Sequence, residues 1–442
     1  MKKILVIAAA AVLVLVLGAA FVLNNNNSEQ AKPEATATNG SVYYLNFKPE
    51  QAQQWQQVAK QYTQLTGVPV TVVTAASGTY EDALRSEMAK NDPPTLFQVT
   101  GPVSLKAWKD YCVDLSDTAM YASLQNPSFA LKEEEKVLAV AFAIETYGLI
   151  YNKTILNRYC AMEGALISDA SQINSFETLK AVAEDIQRRK DELGVLGAFT
   201  SAGMDPSSDW RFKTHLVNLP LYYEYRDDGI DTTESVRGAY LAQLQQVWDL
   251  YLNNATCAPA MIGAKTGEDA ASEFALGEAV FYQNGTWAYG DIITEGLKEE
   301  EIGMLPIYIG VAGEEQQGLC TGSENYWCIN RNADPKNIEA TKAFVDWLST
   351  TEEGLSAMND QLNLATPFAA SATPSNPLQG AAQADLQSGK MPVSWVFPTI
   401  PSERWKNDVG AALLAYAQGS AGWDGVERAF VEGWAAESAA SR

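Results

Sequence analysis

The first hundred residues alternate between short apolar segments and amphipathic ones, and this alternation limits the fold more than any other feature. Apolar, β-prone segments occur at residues 42–47, 68–74 and 95–99. Between them, apolar side chains recur at helical spacing over residues 49–65 and 80–89. A strand–helix–strand–helix–strand order predicts parallel strands joined by right-handed crossovers, so we expect an α/β fold with a doubly wound sheet.

Polar residues follow the strands of this predicted sheet. Ligands on such sheets bind beyond the carboxyl ends of the strands, where the connecting loops leave a crevice. Asn46 and Gln98 lie at the ends of the first and third strands, and Tyr80 opens the helix after the second. We therefore expect Asn46, Tyr80 and Gln98 to lie near a ligand cleft.

The N-terminus predicts export. Lys2 and Lys3 precede residues 4–23, which carry no polar side chain, as in a signal sequence. The run is also long enough to cross a bilayer, so residues 1–23 are a signal peptide or a signal anchor. Both place the rest of the chain outside the cell membrane. Residues 24–40, rich in Asn, Ala, Thr and Glu, are predicted to be a flexible tether.

Length and charge narrow the class of protein. The roughly 400 residues after the tether exceed what one hydrophobic core usually organises, so two lobes are expected. The net charge of the chain is −23. Nucleic acids and anionic lipids bind basic surfaces, so neither is an expected partner. A small neutral solute fits this balance best.

Cysteine and histidine usage argues against a metal or catalytic site. The chain has five cysteines, none with Cys-x-x-Cys spacing, and one histidine, His215. His215 lies in a predicted helix, where a core or helix-face position is expected. Cys320 and Cys328 are close enough in sequence to pair across a hairpin, but the sequence leaves disulfide connectivity open. Phosphate-binding, dinucleotide-binding and nucleophile-elbow motifs do not occur, so no cofactor is predicted.

The most distinctive segment is residues 273–287. It begins as a helix, passes Gly277, continues as an apolar strand and ends in Asn-Gly-Thr-Trp, with Trp287 last. A tryptophan at a glycine-containing turn is not needed to complete a core. Its flat apolar face is instead suited to contact a ligand.

Four segments together resemble one known family. They are DPPTLF at residues 92–97, ETYGLIYNK at 145–153, FALGEAVFYQNGTW at 274–287 and ATKAFVDWLSTTEEG at 340–354. Their order and spacing resemble the extracellular solute-binding proteins of carbohydrate ABC importers, the maltose-binding-like family 1. The resemblance covers nearly the whole chain after the tether.

This resemblance implies a fold and a division of the chain. The fold is the type II periplasmic-binding-protein fold, in which two doubly wound α/β lobes are joined by a hinge and enclose a ligand cleft. Lobe 1 is expected to contain residues 41–144 plus 308–372, and lobe 2 residues 145–307 plus 373–442. Most Gram-positive relatives carry a lipid-attachment cysteine after the apolar run, whereas the first cysteine here is Cys112. Lipid anchoring by that route is therefore not expected.

The resemblance also implies a function. A monomer would close around a sugar, most simply an oligosaccharide, and deliver it to the transmembrane subunits of an ABC permease. The protein would not be an enzyme, and it would need no cofactor or metal.

A sugar site combines aromatic faces with side chains that exchange hydrogen bonds with hydroxyl groups. By resemblance, Trp287 stacks on the sugar and Glu145, at the first crossing between lobes, binds a hydroxyl. The predicted ligand-binding residues are Trp287, Glu145, Asp209, Trp210, Gln98, Tyr80, Asn46, Asn325, Trp327, Trp395 and Trp405. A core position for the tryptophans, and a helix-terminal role for Glu145 and Asp209, are the structural alternatives.

Two other functions remain open from sequence. The same fold binds a peptide, a polyamine or an organic acid when its site differs. A glycoside hydrolase would also combine acidic residues with aromatic subsites, and Glu145 and Asp209 would then be the natural pair.

Overall fold

A computed structural model describes residues 40–76, 78–294, 297–370 and 376–440. The predicted signal segment, residues 1–23, and residues 24–39 of the predicted tether lie outside this range. The chain from Gly40 onward forms one compact unit. Within the described ranges, no helix combines the length and the apolar character that a membrane span requires.

The described strands form two sheets of six strands each. In chain order they are β1 Val42–Asn46, β2 Val70–Thr74, β3 Leu96–Val99, β4 Ala130–Glu133, β5 Lys136–Ala141, β6 Glu145–Asn152, β7 Gly197–Phe199, β8 Ala279–Gly285, β9 Ile302–Leu305, β10 Gln317–Gly322, β11 Tyr326–Ile329 and β12 Met391–Ser394.

Helices surround both sheets. In chain order they are α1 Ala52–Thr66, α2 Tyr80–Met88, α3 Pro102–Trp108, α4 Ala119–Ala122, α5 Lys153–Cys160, α6 Phe176–Arg188, α7 Lys190–Leu193, α8 Asn218–Asp228, α9 Leu241–Asn253, α10 Gly267–Ala275, α11 Tyr289–Thr294, α12 Pro335–Thr350, α13 Glu352–Ser356, α14 Pro377–Gln387, α15 Glu403–Ala417 and α16 Trp423–Ala440. Two π-helical segments, Arg211–Leu216 and Ala357–Gln361, continue into or follow these helices.

The first sheet has the order β2-β1-β3-β11-β5-β4 and defines the first lobe. Strand β1 runs parallel to both β2 and β3, which confirms the α/β arrangement predicted from the alternating pattern. Helix α1 buries Trp55, Val58, Ala59 and Tyr62, which recur at helical spacing on one side. It ends at Gly67, whose φ of 74° is easily adopted only without a β-carbon.

The second sheet has the order β12-β10-β6-β8-β7, with β9 also paired to β6. Its centre is antiparallel, because β6 runs against β8, β9 and β10. The sheet is therefore mixed, whereas the first three strands of the other sheet are parallel. Both lobes are α/β, as the resemblance implied.

The order of the strands takes the chain from one sheet to the other three times, and two of these passages are short segments. Strand β5 leads through Ile144 directly into β6, and β10 leads through residues 323–325 into β11, whereas the passage from β11 to β12 includes several helices. The resemblance places residues 308–372 in the first lobe. Strand β10, within that range, instead pairs with β6 through Cys320, Thr321 and Gly322, so it lies in the second sheet. The sheets thus divide the chain after Gly322 and not near residue 308.

The division between the two sheets also separates Cys320 from Cys328. Cys320 lies in β10 of the second sheet and Cys328 in β11 of the first, so a hairpin pairing of the two does not form. The five cysteines are free thiols in the described structure.

The first sheet is covered on both faces. Tyr44, Leu96 and Trp327 point into one core with α1 and α12, and their neighbours along the same strands point into a second core. Trp327 is fully buried, stacks on Phe142 with ring centroids 4.2 Å apart, and meets the edges of Tyr44 and Trp55. The prediction that Trp327 contacts ligand is therefore wrong: its β11 position faces the interior of the lobe.

Trp327→Ala should lower the free energy of unfolding by about 3–5 kcal/mol, because it removes one of the three indole rings of this core and leaves a cavity. Chemical denaturation followed by circular dichroism measures the change. The control is Leu386→Ala, since Leu386 is 48% exposed and its loss should change stability by no more than about 0.5 kcal/mol. A loss below about 1 kcal/mol for Trp327→Ala would contradict this assignment.

Candidate functional site

Trp287 lies at the end of β8, where the sequence predicted it. Strand β8 ends at Gly285, and the indole of Trp287 folds back over that glycine. A β-carbon on residue 285 would lie 2.1 Å from the Trp287 ring, so only glycine allows this position. The Asn-Gly-Thr-Trp sequence therefore fixes the orientation of the indole, which remains partly exposed.

Four aromatic residues lie against the Trp287 ring in the second lobe, and Phe397 joins them through His215 and Trp395. We call the whole set the aromatic cluster: Tyr147, Trp210, His215, Trp287, Trp395 and Phe397. His215 is at its centre, with its ring centroid 5.3 Å from Trp287 and 5.0 Å from Trp395. The cluster combines broad apolar faces with ring nitrogens, as a site for an amphipathic ligand does.

A π-helical segment, Arg211–Leu216, presents His215 to this cluster. Single π-turns are rare and frequently occur at functional sites. Tyr147 anchors this segment to β6, because its hydroxyl donates a hydrogen bond to the carbonyl oxygen of Arg211 at 2.9 Å. Burial lowers the pKa of His215 to about 3, so its imidazole is neutral near pH 7.

An ion pair joins the two lobes beside Trp287. Lys48 follows β1 in the first lobe, and its Nζ lies 2.6 Å from Oε1 of Glu145, the first residue of β6. The side chains are only 5% and 3% exposed, and Lys48 Nζ lies 5.7 Å from the Trp287 ring centroid. Burial lowers the pKa of Lys48, but the attraction of Glu145 and Glu50 outweighs it and holds that pKa above its ordinary value.

Asn46 positions this lysine. The Lys48 backbone N–H donates to Asn46 Oδ1 at 3.1 Å, and Asn46 Nδ2 donates to the Lys48 carbonyl oxygen at 2.8 Å. Asn46 is fully buried and also donates to Thr74. Its amide thus orders the loop after β1 and holds the lysine at the cleft.

The second crossing adds two polar residues to the floor of the cleft. Asn325 Nδ2 donates to Glu145 Oε2 at 2.7 Å, so each carboxylate oxygen of Glu145 has a partner. Glu324 Oε1 lies 3.9 Å from His215 Nε2. Burial and then the nearby charge of Glu145 raise the pKa of Glu324 to about 7.

A cavity of about 160 Å³ opens beside Trp287 and Glu145. Amide side chains are unusually frequent around it, and residues of both sheets contribute. Its lining comprises Glu50, Gln51, Gln54, Glu145, Trp287, Tyr289, Gly290, Asp291, Gln361, Leu362, Asn363, Leu364, Asn376 and Gln379. Amides both donate and accept hydrogen bonds, which suits a ligand rich in hydroxyl groups.

Several polar atoms around the cleft are buried without a hydrogen-bond partner among the described residues. They are Asn325 Oδ1, Asp209 Oδ1, His215 Nδ1 and Trp395 Nε1. A buried polar atom left unpaired costs about 1–3 kcal/mol, and such atoms are rare in folded proteins. Other buried atoms without a partner lie in the cores of the lobes, but these four lie at the cleft, where a bound ligand can supply the missing hydrogen bonds.

Comparison with known proteins decides the family. A family model described as bacterial extracellular solute-binding protein matches residues 57–395, well over half of the chain. This chain belongs to that family. No protein with a curated description matches the sequence.

Solved structures of solute-binding proteins share the fold of this family member. The solute-binding protein RafE in complex with raffinose has a TM-score of 0.70 and 17% identity, covering 89% of this chain and 99% of its own. A chitin oligosaccharide binding protein has a TM-score of 0.70 and 16% identity, with 90% and 98% covered. The GacH receptor of Streptomyces glaucescens, described with acarbose, has a TM-score of 0.68 and 18% identity, with 90% and 98% covered.

The structure of this solute-binding protein brings some of the predicted residues together. Trp287, Glu145, Asn325, Trp210 and Trp395 all lie at the cleft, in direct contact with one another or through one neighbour. These positions agree with the expected site, and their role in binding stays a proposal.

Asp209 lies next to Trp210 but has a partner of its own. Its Oδ2 accepts a hydrogen bond from Lys213 Nζ at 2.7 Å, and Lys213 also donates to Asn407 on α15. Burial raises the pKa of Asp209 although Lys213 opposes the shift. Only the other carboxylate oxygen is available to a ligand.

Tyr80 and Gln98 serve mainly to hold the first lobe together. The Tyr80 hydroxyl donates to the Leu45 carbonyl oxygen and accepts from the Gln98 backbone N–H at 2.7 Å. Gln98 Oε1 accepts from the Tyr44 hydroxyl and from the Phe47 backbone N–H. Gln98 Nε2 has no hydrogen-bond partner among the described residues. The role of Gln98 and Tyr80 in ligand binding therefore stays a prediction.

The prediction for Trp405 is wrong. Trp405 is fully buried in α15, its Nε1 donates to the Phe430 carbonyl oxygen, and its ring packs against Phe430 and Trp434 of α16. It joins the two C-terminal helices and does not reach the cleft.

Lys48, His215 and Glu324 also lie at the cleft, and the sequence did not predict them there. Lys48 follows a strand end and Glu324 precedes the predicted ligand residue Asn325, so both are adjacent to positions that carried a sequence signal. His215 gave no such signal, because nothing in the local sequence distinguishes a π-helical segment from an ordinary helix.

The lobes also touch at the side of the cleft formed by α3. A β-carbon on Gly101, just before α3, would lie 2.5 Å from Cβ of Pro398 in the second lobe. The described conformation therefore has its lobes together, as expected of a protein that closes by a hinge motion.

Gly101→Ala should favour the open form, because the added methyl clashes with Pro398 only when the lobes meet. Clashes of this kind cost about 1–3 kcal/mol, or a 5- to 150-fold loss of closed population. Small-angle X-ray scattering measures this as a larger radius of gyration. Gly164→Ala is the matched control: Gly164 also has a positive φ, 77°, but nothing lies within 4 Å of an added β-carbon. Equal radii for both variants would show that the Gly101 contact does not limit closure.

Proposed function

We propose that this protein is the sugar-binding component of an ABC importer. It captures an oligosaccharide between its lobes and delivers it to the transmembrane subunits of a permease at the outer face of the cell membrane. The observation that carries the proposal is the partly exposed Trp287 ring among buried polar atoms that lack partners.

The chemistry of the cleft fits a sugar. Apolar C–H faces of a pyranose pack against flat rings. Trp287 provides such a ring, and the ring centroids of Trp210 and Trp395 lie 5.8 and 6.3 Å from its own. Hydroxyl groups need partners that donate and accept, which the side chains of Asn325, Asp209 and the amide-lined cavity supply. A site built to hydrogen-bond hydroxyls discriminates strongly against analogues that lack them.

The solved relatives support the same ligand class. RafE is described with raffinose, GacH with acarbose, and another with chitin oligosaccharide. Since each shares the fold at under a fifth identity, the ligand of this chain follows from its own cleft and not from those sequences.

Closure gives a physical link between binding and delivery. Lys48 and Glu145 belong to different lobes and are buried together, so the closed arrangement of charges exists only when both lobes meet. A ligand that contacts both lobes shifts the equilibrium toward this form by its differential affinity. The permease then receives a conformation that differs between loaded and empty protein.

One observation favours a second candidate ligand. Glu50, Glu145 and Glu324 lie around Lys48 beside the aromatic cluster, and Lys406 is a second lysine that faces Glu324. Carboxylates together with aromatic faces also recognise cationic groups, so an amine-bearing solute is the alternative. A hydrolase is not proposed, because the family is one of binding proteins.

Isothermal titration calorimetry with raffinose, chitotriose, acarbose and spermidine tests both candidates. We expect at least one saccharide to bind with measurable heat and to raise the melting temperature, as ligands of the native state do. Binding of spermidine alone would support the amine alternative. No heat with any of the three saccharides would contradict the sugar proposal.

Trp287→Ala should weaken saccharide binding at least about tenfold, since truncating a central aromatic contact commonly costs more than about 1.4 kcal/mol. The matched control is Trp423→Ala, because Trp423 is also partly exposed but packs on Tyr416 at the C-terminal helices. Its affinity should equal that of the wild type. Similar losses for both variants would indicate a general effect on folding.

A further inference from the structure

Glu324 occupies an unusual place in this fold. It lies in the second crossing between the sheets, and its side chain is 16% exposed. The backbone around it is ordered, because the Asn325 N–H donates to Ser323 Oγ at 3.1 Å and Asn325 donates to Glu145. The carboxyl group is therefore held at the floor of the cleft, beside the aromatic cluster.

The carboxyl group of Glu324 and the imidazole of His215 face each other without bonding. The distance of 3.9 Å from Glu324 Oε1 to His215 Nε2 exceeds a hydrogen bond, and neutral His215 offers no ionic attraction. Among the described residues, no side chain or backbone group donates a hydrogen bond to the Glu324 carboxyl group. His215 Nδ1 is likewise unpaired.

The charged groups that face Glu324 come from three other elements of the fold. Lys48 approaches from the loop after β1, Glu145 from the start of β6, and Lys406 and Glu403 from α15. Each lysine has a glutamate of its own, since Lys48 pairs with Glu145 and Lys406 with Glu403. Glu324 is the acid in this group that no lysine contacts directly.

The gap has the dimensions of one shared hydroxyl group. An oxygen about 2.8 Å from both atoms forms a triangle on the base of 3.9 Å between Glu324 Oε1 and His215 Nε2. From that position, the hydroxyl donates to the carboxylate and accepts from an Nε2–H of the imidazole. One bond is then made to the buried imidazole and the other to the largely buried carboxyl group of Glu324. Hydrogen bonds in such surroundings are stronger than in water, which makes them specific.

We propose that Glu324 and His215 together bind one ligand hydroxyl, and that Glu324 loses its proton when the ligand binds. This rests on the proposed sugar-binding function, and it adds two contacts and a proton linkage to the same cleft.

The direction of the linkage follows from the groups around Glu324. In the ligand-free form, burial and Glu145 raise the pKa of Glu324 to about 7, so the group is partly protonated near neutral pH. A hydroxyl that donates to the carboxylate stabilises the charged form and lowers this pKa. Binding therefore releases a proton near pH 7, and affinity should rise between about pH 6 and pH 8, by at most tenfold per pH unit for a single proton.

Calorimetry of the tether-free protein from residue 40 onward tests this with whichever of raffinose, chitotriose and acarbose binds. Titrations at pH 6, 7 and 8, each in phosphate and in imidazole buffer, separate the heat of binding from the heat of proton release. Wild-type protein should release about half a proton at pH 7, where Glu324 is only partly protonated, and bind more tightly at pH 8 than at pH 6. Glu324→Gln should abolish both effects, with its largest loss of affinity at pH 8.

Two variants complete the test. Glu353→Gln replaces an exposed glutamate on α13 and should keep the wild-type pH dependence. His215→Phe keeps an aromatic ring but no nitrogen, so it should weaken binding while proton release persists. Melting curves establish whether each variant is folded. If Glu324→Gln does not fold, the buffer dependence of the wild-type protein still tests the proton linkage.

The outcomes separate this inference from the function on which it rests. Wild-type protein that binds a saccharide with the same affinity at pH 6 and pH 8, and with no buffer dependence, overturns the proton linkage alone. So does Glu324→Gln that still releases a proton. Wild-type protein that binds none of the three saccharides overturns the sugar function and this inference with it.

Discussion

The buried contact between Lys48 and Glu145 is the constraint on which the rest of the cleft depends. A charge removed from water must be paired, and here the partners come from different lobes. Asn46 holds the lysine, Asn325 holds the glutamate, and the Trp287 ring covers the pair. Each of these residues lies at the end of a strand or at a crossing, so the sheets set the geometry of the ion pair, and the ion pair in turn sets how the lobes meet.

Local backbone features then aim the rings. Gly285 allows the indole of Trp287 to fold over its own strand, and the π-helical segment turns His215 toward it. Neither feature stabilises its lobe: glycine weakens a strand, and a π-turn replaces a better hydrogen-bonding pattern. Their coincidence at one cleft is understandable if the site, and not the stability of the lobe, explains them.

Much of the fold follows from local sequence. Alternation of strands and helices predicts the first sheet, and the spacing of Trp55 to Tyr62 predicts the buried face of α1, because both are short-range patterns. The position of β10 was not predictable in this way, since its partners β6 and β12 are distant in sequence. Trp327 and Trp405 were misassigned for a related reason: a tryptophan in a core and one on a ligand have the same local sequence, and only packing distinguishes them. The position of Trp287 after β8 was predictable because the glycine turn beside it carries its own signal.

Both acids at the floor of the cleft, Glu145 and Glu324, belong to short segments that join the two sheets. If the proposed closure turns the lobes about these segments, points near the axis travel least and points at the rim travel most. The two carboxyl groups would then change their separation little on opening, whereas Gly101 and Pro398 would part. An arriving sugar would meet an already assembled half-site at the axis, with its docking geometry fixed before any lobe has moved. Under the proposed function, recognition and motion are thus divided by distance from the axis: the inner residues would select the solute, and the outer ones would report that it has arrived.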